Sequence, residues 1–174
     1  MIGVSILEIV RFGDPRLRMP GRRVTRFDRE LGTLIDDMVE TMDAAPGAGL
    51  AAQQIGLDLK VCVIRMDDQL YEVVNPEIVH RSGEEDLWEG CLSLPGYRAL
   101  RRRAEHAVMV GQDRTGKRVT ISGHGWLARA IQHEYDHLQG ELYTDGLPEG
   151  AEIITDDELN QRTEASEEGP PDPD

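Results

Sequence analysis

His133-Glu134-Tyr135-Asp136-His137 sets two imidazoles four residues apart with a carboxylate between them. On a helix, residues i and i+4 share a face, so both rings can reach one metal ion while Glu134 projects beside them as a candidate general base. A catalytic site of this kind takes three protein ligands and leaves one position for water, so a third ligand must come from elsewhere. Two known extensions of the pattern supply it poorly. One accepts Gly140 but needs a histidine where this chain has Tyr143. The other uses a downstream carboxylate, and Asp156, Asp157 and Glu158 fall in a segment whose composition argues against a fold. Cys91, within Glu89-Gly90-Cys91-Leu92-Ser93, is the better candidate. Two imidazoles and a thiolate make a tetrahedral set with one open position, suited to zinc or ferrous iron.

These residues need a helix and a scaffold. Apolar spacing predicts a helix from about Trp126 to Gln139, stopped by Gly140 as a C-cap. His133, His137 and Ala130 share one sector with Glu134 on its flank, and Leu127, Ala128, Ile131, Tyr135 and Leu138 continue the arc. Arg129, Gln132, Asp136 and Gln139 are expected on the opposite side, toward water or supporting partners. An N-terminal helix starts near Asp28, a plausible N-cap, with Leu31, Leu34, Ile35, Met38 and Met42 on its apolar face. Strands are expected at Lys60 to Arg65, at Tyr71 to Asn75 and around Ile78-Val79. A further hairpin joins Ala104–Gln112 to Lys117–Ser122. The fold class expected is α+β, with antiparallel hairpins packed around a central metal-binding helix.

The chain has 174 residues, enough for one domain with its own core, and a formal net charge of -14 that argues against nucleic acid as the main ligand. Between Thr155 and Asp174 eight acids face one base, Arg162, so half of that charge sits in the last stretch. Residues 149–174 are therefore expected to form an acidic, disordered tail behind a catalytic domain spanning 1–148. Two cysteines, Cys62 and Cys91, fit a reducing compartment, and the N-terminus reads as neither secretory leader nor membrane span. A cytoplasmic monomer is the simplest expectation.

Three separated blocks resemble the peptide deformylase family: GAGLAAQQ at Gly47 to Gln54, EGCLS at Glu89 to Ser93 and QHEYDH at Gln132 to His137. The similarity runs from about Gly13 to Leu147. It implies hydrolysis of the formyl group from the N-terminal methionine of formyl-methionyl nascent peptides. It also implies Cys91, His133 and His137 as metal ligands, Glu134 as proton carrier, and one divalent ion, with ferrous iron (Fe2+) favoured as the active form over zinc (Zn2+). The Gln54 amide and the Leu92 backbone N–H would stabilise the oxyanion, and Gly49 would let the substrate backbone approach. Glu89 and Arg98 match substrate-side or polar-network positions. Leu87, Trp126 and Ala130 are expected to form the methionine pocket, and Ala48, where the family often has a larger aliphatic residue, to widen its mouth. An acidic C-terminus would be repelled by ribosomal RNA, so transient ribosome proximity is expected without docking through the tail.

Plainer readings cover the rest. Cys62, in Val61-Cys62-Val63-Ile64, reads as strand core, and His80, His106 and His124 as surface or locally bonded. Asp136 is expected to pair with an arginine such as Arg103, while Arg101-Arg102-Arg103 reads as a solvated face. A metalloprotease with a tail carboxylate as third ligand, and a non-catalytic metal-binding module, stand as alternatives.

Overall fold

The computed structural model describes residues 5–167. Eight strands and three α-helices form an α+β fold with two antiparallel sheets. The larger sheet has the order β1 (Gly49–Ala51), β2 (Val61–Met66), β3 (Gln69–Ser82), β6 (His106–Gln112) and β7 (Arg118–His124). The smaller runs β4 (Glu85–Cys91), β5 (Leu94–Arg103) and β8 (Ile153–Thr155).

Helix α1 (Arg29–Ala44) starts at Asp28, whose carboxylate accepts from the Leu31 N–H at 3.2 Å, and α2 (Gly125–Gln139) ends at Gly140 with φ 79°. The two helices cover opposite faces of the larger sheet, which explains the unbroken apolar run of β2. Val61 and Val63 join Leu31, Ile35, Met38 and Met42 of α1 in one cluster. Cys62 and Ile64 join Ala128, Ile131 and Leu138 of α2 in the other. Alternation along a strand buried on both sides produces this division. Each fully buried side chain of this size is worth roughly 1.5–3 kcal/mol of stability.

Several expectations need correction. Tyr71 to Asn75 and Ile78-Val79 are parts of one strand, β3, bent by register shifts around Asn75, whose φ is 52°. Strands β4 and β5 carry no strand signal in the sequence, because neither alternates. The register sets acids of one against arginines of the other: Asp86 faces and pairs with Arg102 at 2.7 Å, and Glu85 stands opposite Arg103, whose guanidinium turns to Glu89 and Asp136. Arg101-Arg102-Arg103 is thus one side of a ladder, and Arg103 is buried. Residues 153–167 are ordered as β8 and α3 (Asp156–Glu167), so the disorder expected from residue 149 onward does not hold over this span. Thr155 and Glu158 form a capping box: the Thr155 N–H donates to the Glu158 carboxylate at 2.7 Å, and the Glu158 N–H to Thr155 Oγ1 at 3.2 Å. Acids at Asp156, Asp157 and Glu158 also suit the positive end of the helix dipole. Ile154 is buried against the domain, and β8 pairs with β5. The tail residues 168–174 lie outside the described residues. Among those described, no helix is long and apolar enough to cross a membrane.

Candidate metal centre

Helix α2 presents His133 and His137 one turn apart, and β4 ends at Cys91, whose strand partner is Leu94 across a tight turn. The donor atoms of Cys91, His133 and His137 all lie within 4.8 Å of one another. The two Nε2 atoms are 3.2 Å apart, and Cys91 Sγ is 3.4 Å from His137 Nε2. Both histidines are buried and Cys91 is half-buried. This is the one such cluster among the described residues. Three converging donors of these types, with a fourth side open to a cavity, fit a divalent ion such as zinc or ferrous iron. The downstream carboxylates are engaged elsewhere: Asp156 accepts from Arg98 at 2.7 Å and Glu158 caps α3. Tyr143 is buried, with its ring centroid 5.9 Å from that of His133.

Glu134 is buried beside the cluster, and its Oε2 has no hydrogen-bond partner. Burial pushes its carboxyl up to about 7, against the opposing pull of His133. Gly49 makes room for it. A Cβ at Gly49 would fall 2.3 Å from Glu134 Oε1, so the space that glycine leaves open is taken by the carboxylate. The expected approach of substrate to Gly49 is therefore shared with a packing demand from inside the protein.

Gln54 sits in a short 3-10 helix, Ala52–Ile55, directly after β1. Its Oε1 accepts from the Ala51 N–H at 2.9 Å, which turns Nε2 toward Cys91 Sγ at 3.5 Å and Ser93 Oγ at 3.3 Å. The amide therefore presents its donor, not its acceptor, to the centre. Leu92 is held on two sides. Its carbonyl accepts from Arg11 Nη1 at 2.7 Å, and its side chain fills the space beside Gly47, where a Cβ would meet it at 2.6 Å.

A cavity of about 430 Å³ opens onto the cluster. Ala48, Gly49, Gln54, Arg98, Trp126 and Ala130 line it. Leu87 does not; its neighbour Trp88 does, and a one-residue step along a strand reverses the face presented. A larger hollow, about 930 Å³, lies between Leu7–Val10 and α1 and holds no member of the cluster. Nothing in the sequence pattern signals it.

Glu89 is buried and touches a metal-ligand candidate directly. Its Oε1 accepts from His133 Nδ1 at 2.6 Å and from Arg103 Nη2 at 2.6 Å. Burial opposes its charge, but the hydrogen bonds from Arg103 and His133 outweigh it and hold the carboxyl well below the usual range. Arg103 also reaches Asp136 at 2.6 Å, the pairing expected from sequence. Arg129 and Gln132, placed by sequence on the polar side of α2, are instead buried. Arg129 precedes His133 by one turn and so shares its face. An arginine four residues ahead of a ligand histidine was the available signal.

The polypeptide deformylase family model matches residues 6–152. The chain is 46% identical over 142 residues to the peptide deformylase of Heliobacterium modesticaldum, covering 82% of this chain and 94% of that one. It is 44% identical over 167 residues to the peptide deformylase of Symbiobacterium thermophilum, covering 94% and 77%. Among solved structures, a peptide deformylase from Legionella pneumophila superposes with TM-score 0.80 at 38% identity, covering 95% of this chain and all of that one.

Proposed function

The chain belongs to the polypeptide deformylase family, and on that premise we propose how its own residues carry out the reaction. The enzyme is a deformylase that removes the N-formyl group from newly made peptides. What supports a metal-assisted route is one coincidence: three converging donors, and beside them a buried carboxyl with an unpartnered oxygen. Cys91, His133 and His137 would hold the ion; the donor set suits both zinc and ferrous iron, and the family resemblance favours ferrous iron. When bound, a divalent cation held by these three residues would supply Lewis acidity toward a water and the formyl carbonyl.

The remaining work falls to the protein. Glu134 accepts a proton from the attacking water and returns it to the peptide nitrogen as the C–N bond breaks, releasing formate and a free amine. Burial, which raises its carboxyl above the ordinary range, opposes the pull of a nearby cation and keeps it able both to take a proton and to give it back. Gln54 Nε2, aimed by the Ala51 N–H, and the Leu92 backbone N–H donate to the carbonyl oxygen as its charge grows. Trp126, Ala130 and Trp88 give the cavity apolar walls for the methionine side chain, and Ala48 leaves its mouth wide. Arg98, held by Asp156, faces the peptide beyond the methionine. We place the activity in the cytoplasm beside translation, carried out by a monomer that meets nascent chains without docking through its acidic C-terminal segment.

The test is deformylation of formyl-Met-Ala-Ser by anaerobically purified enzyme, with metal analysis, alongside Glu134→Gln. Wild type is expected to release formate, and Glu134→Gln to keep its metal and lose turnover. A metal-loaded wild type without activity overturns the reading.

A further inference from the structure

The three donors come from two separate pieces of the fold: Cys91 from the smaller sheet, both histidines from α2. The triangle exists only while that sheet is held at a fixed distance from the helix. Apolar packing ties the smaller sheet down only beside Cys91, where Leu92 packs against the cluster of α1 and the larger sheet. Among the described residues, the buried members of the apolar clusters include no side chain of β4 or β5. Charged groups make the links to α2. Arg129 of α2, its side chain 4% exposed, donates from Nη1 to Glu89 Oε2 at 2.7 Å and to the Arg101 carbonyl at 3.0 Å. Its Nη2 donates to the Glu85 carbonyl at 3.0 Å. One guanidinium thus reaches the backbone of β4, the backbone of β5 and the carboxylate two residues before Cys91. One turn later on the same helix, His133 Nδ1 meets the other oxygen of that carboxylate.

We propose that Arg129 is a positioning residue for the metal centre. It fixes the height of β4 and β5 over α2, and so the spacing of Cys91 from His133 and His137. It also orients Glu89 to accept the Nδ1 proton of His133, which leaves Nε2 free to ligate. Partners of this kind, standing behind a ligand histidine, fix its tautomer and ring orientation. An arginine is needed because only a planar fork can reach three acceptors spread over two strands; an ammonium presents its donors from one point. This role for Arg129 rests on the metal-binding reading above.

Zinc affinity, measured by competition with a chromophoric chelator, tests it without reference to turnover. Arg129→Met is expected to bind Zn2+ about 10- to 100-fold more weakly than wild type. Long-range 1H–15N spectra of the zinc-loaded protein should show the Nδ1–H tautomer of His133 in wild type and its loss or broadening in the variant. Arg129→Lys should fall between the two. If Arg129→Met does not fold, as judged by circular dichroism, Arg129→Lys decides alone. An affinity within threefold of wild type, with the His133 tautomer unchanged, overturns the proposal. A wild type that binds no zinc would instead sink the metal-binding reading itself.

Discussion

Gly49→Ala is the sharpest test of how the carboxylate is placed. The new Cβ would lie 2.3 Å from Glu134 Oε1, 2.7 Å from its Cδ and 2.9 Å from its Cγ. Relief to ordinary contact requires a displacement of about 1 Å. Gly49 is not in the left-handed region, so alanine meets no backbone penalty and the effect comes from the side chain alone. Overpacking costs about 1–3 kcal/mol, offset by the 0.4–1 kcal/mol that glycine-to-alanine gains through the unfolded chain. Glu134 can swing into the cavity it lines, so the stability loss should fall near the low end. Catalysis is less forgiving: a 1 Å misplacement can cost about a hundredfold. We expect kcat/KM on formyl-Met-Ala-Ser to drop about a hundredfold, with metal content intact and a modest fall in Tm. Glu134→Asp draws the carboxylate back by one methylene, so its loss and that of Gly49→Ala should not add in the double variant. A fully metal-loaded Gly49→Ala within threefold of wild type refutes the reasoning.

Gln54→Ala removes the amide aimed at the centre and should lower kcat about a hundredfold, roughly 3 kcal/mol, with metal content unchanged; a rise in KM alone would speak against an oxyanion role. The proton carrier sets the pH behaviour. Glu134 must be ionised to act, so kcat/KM should fall as pH drops through a limb at or below about 7, because a bound cation lowers the carboxyl from its metal-free position. In the metal-free protein the folded value lies above the unfolded one. The stability this group contributes is therefore present below about 4.5 and lost as pH rises through about 7, a span worth at most about 3 kcal/mol. Urea unfolding should show Glu134→Gln gaining on wild type between pH 4.5 and pH 8, and a pH-independent difference would count against it. Ending the chain after Glu152 removes β8, α3 and the buried Ile154, and should cost about 1.5–3 kcal/mol of stability while zinc binding persists; loss of the metal would favour a ligand in that segment.

What the sequence made legible was local. The H-E-x-x-H spacing, the Asp28 cap and the Gly140 stop act over a turn or two, and the structure has each where spacing put it. Strands β4 and β5 were not legible, because their apolar content is low and their order comes from each other. An acidic strand and a basic strand look like two solvated faces until the register sets Asp86 against Arg102 at 2.7 Å. The burial of Arg129 and Arg103 is illegible for the same reason, since an arginine is buried only where a distant segment supplies its acceptors. The ordered residues after 152 were hidden differently. Composition averaged over the acidic stretch outweighed a four-residue capping signal at Thr155 to Glu158, and the pairing of β8 with β5 is non-local.

Two glutamates flank the donor cluster, and their environments separate their roles. Glu89 accepts from Arg103, Arg129 and His133, so its charge is fixed and matched, and no single one of these partners carries the compensation alone. It therefore cannot shuttle a proton, because protonating it means dismantling the bonds that hold the smaller sheet against α2. Glu134 is as deeply buried but without such partners: one of its oxygens is unpartnered, and a cavity lies in front of it. Its charged form is costly until a cation or a proton arrives, which leaves it free to take one up and give one back. Environments that push two carboxyls apart in this way separate a static from a mobile proton site, and in the proposed mechanism Glu89 holds His133 through Nδ1 while Glu134 carries the proton.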